Sequence, residues 1–143
     1  MTISISPYLN FPGNTREAMT FYESIFGGDL TISTFAEFGG GGGVMPDDGT
    51  MHAQLVHPGF TLMASDAMPG ADKTWGGTRV YLAFFGDDLQ TLQGWFDKLA
   101  ESGNVGQALE KQVWGDVYGL VMDRYGLEWM FNVSQPGGAS PQG

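Results

Sequence analysis

Hydrophobic and polar positions along this chain change period in a fixed order, and they do so twice. A short apolar run, "YLNFPGN" at Tyr8 to Asn14, leads into "TREAMTFYESIFGG", where Ala18, Met19, Tyr22, Ile25 and Phe26 recur at helical spacing. Segments of strand character follow: "LTISTF" (Leu30 to Phe35), "HAQLV" (His52 to Val56) and "VHPGFTLMASD" from Val56 to Asp66. The order then restarts. "YLAFFGD" at Tyr81 to Asp87 precedes "DLQTLQGWFDKLAESG", with Leu89, Leu92, Trp95, Phe96 and Leu99 on one face. "ALEKQVW" (Ala108 to Trp114), "YGLVMD" (Tyr118 to Asp123) and "DRYGLEWMFNV" complete the second round. Asn14 or Thr15 and Asp87 or Asp88 are the expected helix N-caps, and Gly27 and Gly103 the expected stops.

The two rounds align with each other. Tyr8–Asn14 matches Tyr81–Asp87 at an offset of 73, and Val56–Asp66 matches Asp123–Val133 at an offset of 67, pairing Gly59 with Gly126 and Met63 with Met130. Two matches in the same order argue for a duplicated βαβββ unit. The expected organisation is α+β: a first module over 1–67, a linker over 68–78, a second module over 79–134 and a disordered tail over 135–143.

The hairpin of the first module predicts which side chains share a face. A tight turn at Pro58 and Gly59 pairs Val56 with Thr61, Gln54 with Met63 and His52 with Ser65. His52, Gln54, Met63 and Ser65 then lie together, and His57 sits at the tip. By the same alternation Glu128, Met130 and Asn132 share a face in the second module.

Composition narrows the classes of function. Net charge is −10, with 6 basic against 16 acidic residues, so a nucleic acid or an anionic membrane surface is repelled. There are no cysteines, which excludes disulfides, thiolate metal sites and a cysteine nucleophile. No apolar run approaches about 18 residues, and "MTISISPYLNF" lacks the basic and apolar regions of a signal peptide; a cytoplasmic protein is expected. "EFGGGGGVMPDDG" (Glu37 to Gly49) has no GK[ST] ending and no helical pattern after it, against phosphate, S-adenosylmethionine or NAD binding. It reads as a mobile strand connection, of a kind that can close over a pocket. Trp75, in the linker, reads as an anchor over a pocket or in a subunit interface, and Met63, Met68, Met122 and Met130 as a pliable apolar lining.

"FYESIFGGDL", "WGDVYGLVMDRYGLEWMF" and the paired halves resemble the vicinal oxygen chelate superfamily, which has the glyoxalase, bleomycin-resistance and dihydroxybiphenyl dioxygenase fold. "PYLNFPGNTREAMTFYESIFGG", "MHAQL" and "LMASD" resemble its PhnB-like branch. The resemblance implies a curled mixed sheet around a cup between the modules, and a homodimer. It also implies, in the metal-dependent members, a divalent ion held by histidines and glutamates from the first and last strand of each module. Carried over residue by residue, those places fall at Pro7, Met63, Val80 and Met130. Proline and valine have no side-chain donor and a thioether is a soft ligand, so no conventional metal or other cofactor is expected.

Two functions follow. One is a metal-independent small-molecule binder for an apolar or aromatic ligand, lined by His52, Gln54, Met63, Ser65, Trp114, Glu128 and Met130, with Glu128 as the negative anchor. The other is a lyase, isomerase or dioxygenase-type enzyme in which His52 and Glu128 act as acid and base or hold a displaced divalent ion. Against both stands a plain structural role, with His52 bonded to Ser65 or a main-chain carbonyl and Glu128 at the sheet rim.

Overall fold

The computed structural model describes residues 3–67 and 80–135. The expected linker with Met68 and Trp75, and residues 136–143 of the expected tail, lie outside the described residues. The chain forms two compact units, Met1–Lys73 and Thr74–Gly143.

The first unit runs β1 (Tyr8–Phe11), α1 (Thr15–Phe26), β2 (Asp29–Thr34), β3 (Thr50–His57) and β4 (Phe60–Asp66), with sheet order β1-β4-β3-β2. β1 joins parallel to β4, Tyr8 opposite Met63 and Phe11 opposite Asp66. β3 and β4 form the expected hairpin, with Gln54 opposite Met63 and Val56 opposite Thr61. Alternation then sorts the side chains. Leu9, Phe11, Ala53, Leu55, Leu62 and Ala64 are buried beneath Ala18, Met19, Tyr22 and Phe26 of α1. Each large apolar side chain withdrawn from water in this way contributes about 1.5–3 kcal/mol.

The second unit repeats the plan: β5 (Leu82–Gly86), α2 (Leu89–Glu101), β6 (Asn104–Lys111), β7 (Val117–Met122) and β8 (Glu128–Val133), in the order β5-β8-β7-β6. The two tandem βαβββ modules expected from the repeat are therefore present, with the same strand order in each. The second core is aromatic. Phe84 stacks on Trp129 with centroids 5.5 Å apart and packs against Trp95 and Phe131, while Phe96 meets Phe131 edge-on.

Three local expectations change. Asn14 precedes α1, but its side chain makes no capping bond; the Thr15 N–H donates instead to Asp66 Oδ1 at 3.2 Å, from the end of β4. α2 ends at Glu101 with Ser102 as its cap, one residue before Gly103. Gly103 is needed for close approach, since a Cβ there would lie 2.1 Å from the Met122 carbonyl oxygen. Finally, β6 covers Asn104–Lys111 and not Ala108–Trp114. Gln112 to Asp116 turn back through the Gln112 N–H to the Asp116 carbonyl at 2.8 Å, so Trp114 lies in a turn.

The glycine-rich stretch folds into a hydrogen-bonded loop. Phe35 N–H donates to Gly49 O and Ala36 N–H to Asp47 O, closing its base, after which one 3₁₀ turn spans Ala36–Phe38. Among the described residues no helix is long and apolar enough to cross a membrane.

Candidate functional site

Each sheet has one face covered by its helix and one face turned the other way. On the latter face of the first sheet, β3 presents His52 and Gln54, β4 presents Met63 and Ser65, and β1 presents Tyr8. His52 stands opposite Ser33 and Gln54 opposite Thr31 on β2, so this face is mostly polar.

Tyr8 organises it. β1 lies two strands from β3, a separation of about 9–10 Å at the usual strand spacing, and the tyrosine side chain spans it. Its hydroxyl lies 3.0 Å from His52 Nδ1, with ring centroids 5.7 Å apart. His52 Nε2 lies 3.5 Å from Gln54 Oε1. With the phenol O–H donating to Nδ1, Nε2 carries the proton and donates to Gln54, so one neutral tautomer satisfies both contacts. The phenol oxygen, on a side chain 47% exposed, keeps lone pairs for a ligand donor. His52 is thus partnered by Tyr8 and Gln54, a different arrangement from the Ser65 or carbonyl bond considered above.

His57 lies elsewhere. It has the strand phase of Leu55 and Ala53, its ring stacks on Phe60 at 4.5 Å, and Nδ1 accepts from the Gly59 N–H at 3.0 Å. Phe60 in turn meets Phe26 of α1 edge-on. The second histidine is part of the helix-side packing of its hairpin.

In the second unit Glu128, Met130 and Asn132 share the face away from α2, opposite Met122, Leu120 and Tyr118. Phe85, opposite Asn132 on β5, adds an exposed ring. Glu128 is half-buried, whereas Asn132 is buried and donates from Nδ2 to Asp116 Oδ2 at 3.0 Å. Trp114 packs edge-on against Tyr118 at 6.1 Å. This face is apolar at its centre, around Leu120 and Met130, while β6 adds the exposed Glu110, opposite Tyr118, at its edge.

The strand register also locates the family's ligand places. Pro7 precedes β1 and offers its carbonyl to the Met63 N–H at 3.1 Å; the side chain beside Met63 is that of Tyr8. Val80 precedes β5 and is 74% exposed, and the side chain beside Met130 is that of Ala83. Among the described residues, no three His, Asp or Glu side chains come together in a group able to hold a metal ion. Phenol, thioethers and an alanine do not make a hard-cation site, so the family's divalent ion does not fit these donors.

Sequence reasoning missed Tyr8 and Phe85. Both become visible only with the parallel pairings β1–β4 and β5–β8, since strand phase within one segment does not say which face a neighbouring strand's residues share.

A sequence profile described as "Glyoxalase/Bleomycin resistance protein/Dioxygenase superfamily" matches residues 4–131. Protein YjdN of Escherichia coli (strain K12) is 32% identical over 142 residues, covering 90% of this chain and 94% of that one. The crystal structure of protein PA1353 from Pseudomonas aeruginosa is 36% identical, covers 94% of this chain and 99% of its own, and superposes with a TM-score of 0.76. A Bacillus cereus protein described as a putative 3-demethylubiquinone-9 3-methyltransferase, PhnB protein, is 24% identical, with 92% and 100% coverage and a TM-score of 0.76, a likeness of fold. Profile, sequence relatives and paired βαβββ modules agree, and the chain belongs to the glyoxalase/bleomycin resistance protein/dioxygenase superfamily.

Proposed function

We propose that the protein is a PhnB-like member of the superfamily that binds a small apolar or aromatic molecule without the family's conventional divalent ion. One observation carries this reading: where the family's ligand set would begin, the Met63 side chain is flanked by the Tyr8–His52–Gln54 hydrogen-bond chain. A phenol and an imidazole offer a stacking surface and hydrogen bonds to a ligand, and the Met63 thioether adapts to its shape. His52, Gln54, Met63 and Ser65 form the binding face of the first unit. Trp114, Glu128 and Met130 serve the second, where Glu128 anchors a cationic or donor group. A homodimer in the cytoplasm is the working assembly and place.

The competing reading, a divalent ion on His52 and Glu128 polarising a substrate oxygen, needs a free imidazole nitrogen. Both nitrogens of His52 have partners in the geometry above. The test is an amide-resolved NMR titration of the full chain with indole and with benzyltrimethylammonium, neutral and cationic aromatic probes. We expect shifts at Tyr8, His52, Gln54 and Met63 with both. We expect Glu128→Gln to weaken the cationic probe at the second unit by several-fold and leave indole unchanged. Shifts confined to other surfaces, or binding that appears only after a divalent ion is added, would overturn the reading.

A further inference from the structure

The first turn of α1 opens on a cavity of about 470 Å³, a volume suited to a small organic molecule. It lies at the end of the first sheet and on the α1 side. Asp66, which lines it, has the strand phase of the core residues Leu62 and Ala64, whereas Met63 faces the other way with Tyr8 and His52.

The glycine-rich loop supplies one wall. Met45 is 8% exposed, and its N–H donates to Gly41 O at 3.1 Å. A Cβ on Gly41 would fall 1.9 Å from the Met45 carbonyl oxygen, so only glycine permits this fold-back. Asp47 Oδ1 accepts from the Gly41 N–H at 3.4 Å and braces the same turn. The glycines therefore serve to bring Val44, Met45 and Pro46 to the cavity that Pro12 and Gly13, just before the helix, also line.

Three charged residues complete the lining: Arg16, Asp48 and Asp66. Asp66 is committed, with Oδ1 accepting from Thr15 N–H at 3.2 Å and Oδ2 from Thr50 N–H at 2.9 Å. Arg16 and Asp48 are exposed, and among the described residues neither has a hydrogen-bond or ion-pair partner. The turn thus presents an unspent guanidinium to the cavity, a group that holds a carboxylate, whereas the Thr15 N–H is already taken by Asp66. The unspent Asp48 carboxylate at the same cavity holds an ammonium. A ligand with two or more negative charges is opposed by Asp48, Asp66 and the net charge of −10.

We propose that this cavity is a second ligand site, on the opposite side of the first sheet from Tyr8 and His52, and that it takes a small zwitterion of the α-amino-acid type. The carboxylate sits on Arg16, the ammonium faces Asp48, and an apolar side chain lies against Val44 and Met45.

The test is an amide-resolved NMR titration of the full chain with L-methionine and L-phenylalanine, each beside its N-acetyl and methyl-ester form. We expect shifts at Gly13, Arg16, Gly49 and Thr50 with the free amino acids. Each blocked form should bind more weakly by roughly tenfold or more, the loss expected of one charge-assisted contact. Arg16→Gln should remove the preference for the free carboxylate and Asp48→Asn the preference for the free amine. Both side chains are exposed, so the variant spectra should keep the wild-type core signals. Tyr8→Phe should leave this binding unchanged. Absence of shifts with both amino acids, shifts confined to the Tyr8–His52 face, or an Arg16→Gln protein that binds as the wild type does would overturn the proposal.

Discussion

Replacing Asp123 removes the side chain that holds the β7–β8 turn together. The carboxylate is 2% exposed; Oδ1 accepts from Tyr125 N–H at 2.8 Å and Leu127 N–H at 3.1 Å, and Oδ2 from Trp129 Nε1–H at 2.8 Å. In Asp123→Ala the Tyr125 amide can turn to water, because that residue is half-exposed. Leu127 and Trp129 are 7% and 1% exposed, so their donors stay dry. A stranded buried donor costs about 1–3 kcal/mol, which predicts a loss of about 2–6 kcal/mol for the pair. Asp123→Asn keeps an oxygen for the two backbone donors but turns an amide NH₂ toward the Trp129 N–H. One stranded donor then predicts about 1–3 kcal/mol. The three tryptophans among the described residues, Trp95, Trp114 and Trp129, belong to the second unit, so fluorescence-detected urea unfolding reports on this unit. At this chain length each kcal/mol should lower Tm by about 2–4 °C. An alanine variant within about 1 kcal/mol of wild type, or one more stable than the asparagine variant, would show that the carboxylate is not what holds the turn.

Other changes follow from the same geometry. Gly103→Ala drives a methyl group toward the Met122 carbonyl oxygen, at 2.1 Å, and Leu99 O, at 2.9 Å, and should cost about 1–3 kcal/mol in urea unfolding. His52 should show the Nε2–H tautomer in its ring ¹⁵N shifts, and Tyr8→Phe should restore a mixture of the two forms. Asp88 caps α2, and its hydrogen bonds from the Thr91 hydroxyl and N–H hold its carboxyl below the usual value of 3.8. A folded-state value below the unfolded one gives stability present above pH 3.8 and lost as pH falls through the lower folded value. Thr91→Ala should therefore move the Asp88 carboxyl titration upward in ¹³C NMR.

The parts of the fold that were legible in the sequence rest on periodicity. Two amphipathic helices and the Pro58–Gly59 hairpin each bury one face, so the spacing of Ala18, Met19 and Tyr22 and of Leu92, Phe96 and Leu99 carried the signal. β6 carried none, because no residue in it is buried, and its limits were misplaced accordingly. At α1 the cap position was legible and its bond was not. Local rules offered Asn14 or Thr15, and Asn14 is the N-cap, but the side chain that bonds the helix start is Asp66, 51 residues from Thr15, which reaches it once β4 lies beside β1. The same parallel pairing sets Tyr8 beside Met63. Contacts that depend on such a crossover have no local signature, which is why His52 and Gln54 were found and their phenol partner was not.

The measurement that bears most directly on a metal-free binding face is the metal content of the purified, untagged protein by elemental mass spectrometry, with His52→Ala alongside. The arrangement of Tyr8, His52 and Gln54 predicts no stoichiometric divalent ion in either protein. A stoichiometric ion in the wild type that is lost in His52→Ala would contradict it and make a metal-dependent enzyme the better account.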